Sequence, residues 1–196
     1  MTPRLLVYTW PYALVFWGVI FWAFAPEFRI IKRRQEPSSM PQDASSKRLI
    51  MIAQGLASVG AFAIAAGVPA GALAHRVRWF WLGLIAIVAG SLLRRHCWRM
   101  LGTSFTGAVI VEQDQAVVDR GAYKYIRHPS YTAGAIMFLG IGLALANWIS
   151  LAVILAGMSI AYAYRVRVEE RALMAVLGDP YRRYMSRTKR FVPFLF

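Results

Sequence analysis

The chain alternates long uncharged apolar runs with short basic stretches, and this leaves few ways to fold it. Leu5 to Ala25 is 21 residues without a charge, with Trp10, Trp17 and Trp22 along it. At roughly 1.5 Å per helical residue, that length crosses about 30 Å of hydrocarbon. Leu49 to Val68 is a second run, rich in Gly and Ala, and Trp79 to Leu93 begins a shorter third. Ser130 to Ala146 and Trp148 to Tyr164 are two 17-residue runs separated by Asn147 alone. No bilayer holds a straight helix of their combined length, so they read as an antiparallel helical hairpin. Hydrophobic residues make up 58% of the sequence, above the roughly 45–50% of soluble proteins. The expected fold class is an all-α integral membrane protein with about five transmembrane helices, the last two forming a C-terminal hairpin. One domain accounts for the length. Residues 1–93 supply three N-terminal spans, and residues 94–196 hold an inner-face loop, the hairpin and C-terminal helices. Basic residues follow the first apolar run rather than precede it, which argues against a cleaved signal peptide.

The formal charge of +14 is a topology signal before it is anything else. Of the 23 Lys and Arg, all but Arg4, Arg76 and Arg78 fall on one side if the apolar runs cross a membrane. The positive-inside rule makes that side cytoplasmic, with the N-terminus outside and the C-terminus inside. The basic side also attracts anionic lipid heads. No basic stretch forms a nucleic-acid reading module, so no nucleic-acid partner is expected.

Between the spans, Pro26 to Arg48 reads as a cytoplasmic loop with a short interfacial segment. Arg94 and Arg95 are placed to snorkel from the inner end of the third span. Val109–Val111 and Val117–Val118 are β-favouring patches that suggest a short hairpin or extended loop on the inner face. Arg167 to Leu177 has helical spacing and ends at Gly178. Asp179 and Pro180 read as the N-cap and first turn of another short helix, with Tyr181 and Tyr184 on one face. Arg182, Arg183, Arg187, Lys189 and Arg190 should point towards lipid heads and water.

Several chemical constellations are missing. There is no nucleophile elbow, phosphate-binding glycine loop or Rossmann fingerprint. His75, His96 and His128 are too scattered to make a metal set, and the single Cys97 reads as a packing residue. Gly140 and Gly142 sit in an apolar helix, where close helix packing explains them. What remains is a polar cluster at the inner mouth of the hairpin. Pro129 marks the switch from an extended loop into a helix, a start that leaves backbone N–H groups without helical partners. Arg127, His128, Ser130 and Tyr131 stand there, and Arg165, Arg167, Glu169 and Glu170 stand at the far end. A hairpin brings these two groups together. From the residues alone two readings stand. The arginines bind lipid phosphates and the glutamates neutralise them, or a polar ligand is held between the two ends.

The blocks Gly121-Ala122-Tyr123-Lys124-Tyr125-Ile126-Arg127-His128-Pro129-Ser130-Tyr131, Glu169-Glu170 and Gly178-Asp179-Pro180-Tyr181-Arg182-Arg183-Tyr184 resemble the isoprenylcysteine carboxyl methyltransferase family. That family is related to the membrane phospholipid methyltransferases. The resemblance runs from about Leu101 to Phe196. It implies S-adenosylmethionine as methyl donor, bound in a cytoplasmic pocket, and a lipophilic acceptor that arrives from the bilayer. Carried onto this sequence, Gly121, Ala122, Tyr123, Arg127, His128, Pro129 and Tyr131 would line the cofactor pocket, and Glu169 would contact the cofactor. Arg165 would orient the acceptor. An acidic residue follows that arginine in the related enzymes, where this chain has Val166.

The donor's cationic sulfur and zwitterionic end suit a carboxylate, a helix start and aromatic rings. The transfer needs no metal. A carboxylate acceptor is already a nucleophile at neutral pH, and an arginine holds it by paired hydrogen bonds. An amine acceptor would need a proton acceptor, for which Glu170 and His128 are the candidates, and Arg165 and Glu170 are taken as the catalytic pair. O-methylation of an isoprenylcysteine-type carboxylate is the leading expectation. N-methylation of a phospholipid amine, a sterol-type NADPH-dependent reductase and a non-enzymatic scaffold are the alternatives.

Overall fold

A computed structural model describes residues 5–33, 41–102 and 117–192, with side chains described outside 27–33 and 41–47. Among the described residues all regular structure is helical. The helices are α1 Tyr12–Arg33, α2 Pro41–Gly67, α3 Arg76–Leu101, α4 Pro129–Ala144, α5 Trp148–Leu177 and α6 Asp179–Arg187. Short 3-10 turns occupy Leu6–Tyr8, Pro69–Gly71 and Gly121–Lys124. The segment Arg48–Gly67 of α2, together with α3 and α5, is long and apolar enough to cross a membrane, while Tyr12–Pro26 and α4 are shorter apolar helices. The chain is an all-α, multi-pass integral membrane protein. Its central pair is α3 against α4; α5 packs on α4, α2 on α5, and α1 on α3. The outer helix α2 leaves Met51, Ile52, Leu56 and Val59 exposed, as a lipid-facing helix should.

Glycines set how closely the central helices approach. A Cβ on Gly83 would lie 2.5 Å from the Gly140 carbonyl oxygen, and one on Gly90 2.8 Å from that of Ala133. The α3 and α4 backbones therefore touch directly, as small residues allow in lipid. Gly142 faces Leu151 and Ile154 of α5 in the same way, so both hairpin glycines are packing residues. At the outer end the hairpin turns through Asn147, which is buried. Its Oδ1 accepts from the Ile149 and Ser150 amides, both at 3.1 Å, and caps α5. Its Nδ2 donates to the Val68 carbonyl at 3.0 Å, and the Leu73 amide donates to the Ala146 carbonyl at 2.8 Å. One asparagine thus caps a helix and ties two turns together.

The structure departs from the sequence reading in four places. The second hairpin arm does not stop at Tyr164: α5 runs 30 residues, and the helix expected from Arg167 is its continuation. Nothing between Tyr164 and Leu177 breaks a helix, and Gly178 then ends it at φ 56°. A helix of that length is about 45 Å long, so its last turns leave the hydrocarbon. Second, α1 runs through Pro26 to Arg33 and α2 begins at Pro41, where a loop was expected. Pro26 has no N–H, so the Trp22 carbonyl loses its normal donor. Arg95 Nη2 donates to it instead, and the Ser91 hydroxyl donates to the Ala23 carbonyl at 3.1 Å. Arg95, expected to snorkel, supplies the hydrogen bond that the proline removes, with its guanidinium 4.2 Å from the Trp22 ring centroid. Third, α3 continues past Leu93 to Leu101. Fourth, Gly178 rather than Asp179 is the N-cap of α6. Most of the Val109–Val118 patch, read as a short hairpin, lies outside the described residues.

Candidate active site

The approach to α4 is shaped by backbone. Gly121 adopts φ 59°, and a Cβ there would strike Met100 at the end of α3. Both facts call for glycine. The 3-10 turn that follows carries Ala122, whose carbonyl accepts from the Tyr125 and Ile126 amides, and buries Tyr123. From below, the Tyr184 hydroxyl donates to the Tyr123 carbonyl at 2.7 Å. Tyr184 shares its face of α6 with buried Tyr181, at 5.9 Å between ring centroids, and burial pushes its phenol up to about 12.

Residues 125–128 then pair with the C-terminal segment. Lys189 N donates to the Tyr125 carbonyl (3.1 Å), Arg127 N to that of Lys189 (2.7 Å), and His128 N to that of Arg190 (3.0 Å). The Thr132 hydroxyl adds a bond to the Phe191 carbonyl at 2.7 Å. The segment Thr188–Phe191 therefore straps the start of α4. Pro129 is buried at the first helical position, as expected.

Two neighbouring carboxylates divide the inner mouth. Glu170 is 2% exposed and fully engaged. Its Oε1 accepts from Arg127 Nε at 2.9 Å and lies 3.3 Å from His128 Nε2, while Oε2 accepts from Arg190 Nε at 3.0 Å and Nη2 at 2.8 Å. These bonds hold the Arg190 guanidinium protonated, its pKa raised above the ordinary value. Glu169, about 100° away around α5, accepts from the Tyr131 hydroxyl at 2.9 Å and is half-buried. Buried Arg165 lies four residues before it on the same face and reaches Tyr131 as well. Tyr162, three residues before Arg165, packs its ring 5.0 Å from that of Tyr131. The Tyr123 hydroxyl lies in the fields of Cys97, Glu169 and Arg94. It is buried with no hydrogen-bond partner among the described residues. Burial and the nearby Glu169 raise its pKa, so it stays a neutral donor.

The hairpin thus brings together the groups expected to meet: Arg127 and His128 with Glu170, and Tyr131 with Glu169 and Arg165. Ser130 turns aside and accepts from the Trp98 indole at 3.2 Å, and Arg167 is exposed. The sequence reading missed Arg190, placed towards lipid heads, and Tyr162, which looked like one more apolar helix residue. Its spacing of three from Arg165 was the available signal. It also missed that the His128 N–H, thought open at the helix start, is taken by the C-terminal strap. An open cavity of about 510 Å³ lies apart from these groups, between residues 117–119 and α6.

Comparison with known proteins adds the family. Residues 81–175 match the model of the isoprenylcysteine carboxyl methyltransferase family. That stretch, just under half of the chain, is similar to that family. Protein-S-isoprenylcysteine O-methyltransferase B of Arabidopsis thaliana is 32% identical over 115 residues, covering 58% of this chain and 58% of that protein. The Schizosaccharomyces pombe protein-S-isoprenylcysteine O-methyltransferase is 29% identical over 116 residues, covering 58% of this chain and 48% of its own length. The chain therefore spans about half the length of the curated relatives it matches. A solved eukaryotic intramembrane Ras methyltransferase of the family, 23% identical, has the same fold, with a TM-score of 0.59 over 89% of this chain and 61% of that one. The family match takes in α3 from Trp81, α4 and most of α5, which are the helices that carry Arg94, Tyr131, Arg165 and Glu169.

Proposed function

We propose that the chain is an S-adenosylmethionine-dependent membrane methyltransferase that esterifies the carboxylate of a lipophilic, isoprenylcysteine-type acceptor. The observation that carries this reading is the half-buried Glu169, bonded by the Tyr131 hydroxyl, together with the buried Tyr123 hydroxyl, which has no hydrogen-bond partner among the described residues. A buried hydroxyl without a partner calls for a ligand that supplies one. A half-buried carboxylate beside the Tyr131–Tyr162 ring pair suits a cationic donor, so the residues fit the cofactor.

A bound cofactor would supply an electrophilic methyl group on cationic sulfur; its transfer to the acceptor carboxylate would form the ester C–O bond, with the thioether leaving and keeping the C–S pair. Glu169 holds the cofactor's positive end. Arg165, on the same face, orients the acceptor carboxylate by paired hydrogen bonds. Tyr131 fixes the Glu169 rotamer, while Gly121, Ala122 and Tyr123 form the floor. Glu170 is a positioning residue: with Arg190 it holds Arg127, His128 and Pro129 at the edge of the pocket. The step releases no proton. An amine acceptor would release one, and Glu170, with both oxygens engaged by cations, is poorly placed to take it. This favours the carboxylate. The charge distribution supports a cytoplasmic site and C-terminus, with the N-terminus outside.

Calorimetry of S-adenosylmethionine binding to the detergent-solubilised protein tests the site. Glu169→Gln should weaken it at least about tenfold, the loss of one charge-assisted contact; unchanged affinity sinks the assignment. In parallel, methyl-labelled cofactor should transfer its label to S-farnesylcysteine. Label found only in amine lipids would overturn the acceptor class.

A further inference from the structure

We infer that Arg94, reaching in from α3, is a second arginine of the acceptor site and selects a free carboxylate over its ester. The inference rests on the methyltransferase reading above and adds a specificity-determining residue to it.

Arg94 and Arg95 are adjacent on α3 and so point about 100° apart. Arg95 turns to α1 and completes the backbone broken by Pro26. Arg94 turns the other way, towards α4 and α5. Its guanidinium lies 5.2 Å from the Trp98 ring centroid, and Trp98 is in turn bonded to Ser130 at the start of α4. One turn further along α4 is Gly134. A Cβ there would collide with both Arg94 Nη1 and the Tyr162 hydroxyl, so glycine opens a notch in which a guanidinium and a phenol meet. The Tyr162 ring packs on Tyr131, whose hydroxyl lies between Glu169 and Arg165. Two guanidiniums, from α3 and α5, therefore flank the Tyr131–Tyr162 pair. The Tyr123 hydroxyl, in a residue 6% exposed and without a hydrogen-bond partner among the described residues, feels the charges of both Arg94 and Glu169.

An ionisable side chain turned inward between membrane helices is costly to hold and marks a substrate path by default. A planar guanidinium fork matches a carboxylate, and charge-assisted pairs are roughly twice as strong as neutral ones. Two such forks favour the acid over an ester. Esterification removes the charge that Arg94 and Arg165 grip, so the same pair that binds the acceptor releases the product.

The test is equilibrium binding of N-acetyl-S-farnesylcysteine and its methyl ester to the full chain in detergent, without cofactor. The wild-type protein should prefer the acid by about tenfold or more. Arg94→Gln should reduce that preference to within about twofold and raise the KM for the acid by a similar factor, with S-adenosylmethionine affinity held. Arg94→Lys, which keeps charge but loses the fork, should fall between. Gly134→Ala leaves Arg94 in the sequence but fills its notch, and should reproduce the loss of preference even if Arg94→Gln does not fold. Wild-type preference retained in Arg94→Gln or in Gly134→Ala overturns the role of Arg94 and leaves the methyltransferase reading standing. Wild-type protein that binds acid and ester alike overturns the inference, while label transfer to the carboxylate separately decides the reading beneath it.

Discussion

The two ends of the α4–α5 hairpin are closed by different means. At the outer end a single neutral residue, Asn147, satisfies two amides and one carbonyl. At the inner end, charges from α4, α5 and the C-terminal strap converge, and they do so unequally. Glu170 is saturated by Arg127, Arg190 and His128, while Glu169 next to it is half-buried, accepts from Tyr131, and acts on the Tyr123 hydroxyl, which has no hydrogen-bond partner among the described residues. Polar groups that only hold a fold together are satisfied within it. Asn147 and Glu170 meet that condition, although the buried Ser150 hydroxyl beside Asn147 has no hydrogen-bond partner among the described residues. The Tyr123 hydroxyl on the Glu169 side does not, and under the proposed function this is the difference between a structural joint and a binding surface, even though the two glutamates are adjacent in sequence.

The largest test of this contrast is Glu170→Gln. It leaves two arginines against a neutral amide, which should cost roughly 2–3 kcal/mol. That is below the value for a fully buried pair because the Arg190 side chain is 46% exposed. The thermal midpoint in detergent should fall clearly, and cofactor affinity with it, because the strap carries the start of α4. An unchanged midpoint would mean that Glu170 is no joint. Asn147→Ala should come next, at about 1–2 kcal/mol for a lost cap and an unsatisfied carbonyl. Its signature is a lowered midpoint with cofactor affinity unchanged within about twofold, since Asn147 lies at the opposite end of the hairpin from Glu169 and Glu170. If it weakened cofactor binding more than stability, the two ends would not be independent.

What the sequence made legible follows from the same physics. The hairpin could be read because two uncharged 17-residue runs flank one asparagine, and the meeting of Arg127, His128 and Tyr131 with Glu169 and Glu170 followed from it. The strap could not, because its pairing with residues 125–128 uses backbone amides and carbonyls, which leave no side-chain signature. Arg190 looked like any basic residue on a solvated face. The passage of α1 through Pro26 was hidden too, since the donor that repairs it comes from Arg95, about 70 residues later. Arg94 and Arg95 read alike in sequence, and only the 100° turn between them sends one to α1 and the other towards α4 and Tyr162.

The smallest effect is the sharpest. Tyr123→Phe removes only the hydroxyl that has no partner among the described residues. A buried hydroxyl left unpaired costs about 1–3 kcal/mol. Its removal should therefore leave the cofactor-free protein as stable as before, or more stable by up to about 1 kcal/mol. Cofactor affinity should fall by a few fold, the worth of about one hydrogen bond. Tyr184→Phe is the matched control: its hydroxyl donates to the Tyr123 carbonyl at 2.7 Å, so its loss should cost about 1 kcal/mol of stability. Opposite signs for two tyrosines in contact through one hydrogen bond would mark where the joint ends and the binding surface begins. If Tyr123→Phe instead destabilises the free protein as much as Tyr184→Phe and leaves cofactor affinity alone, the inner end is closed like the outer one. The site would then have to be sought away from Glu169.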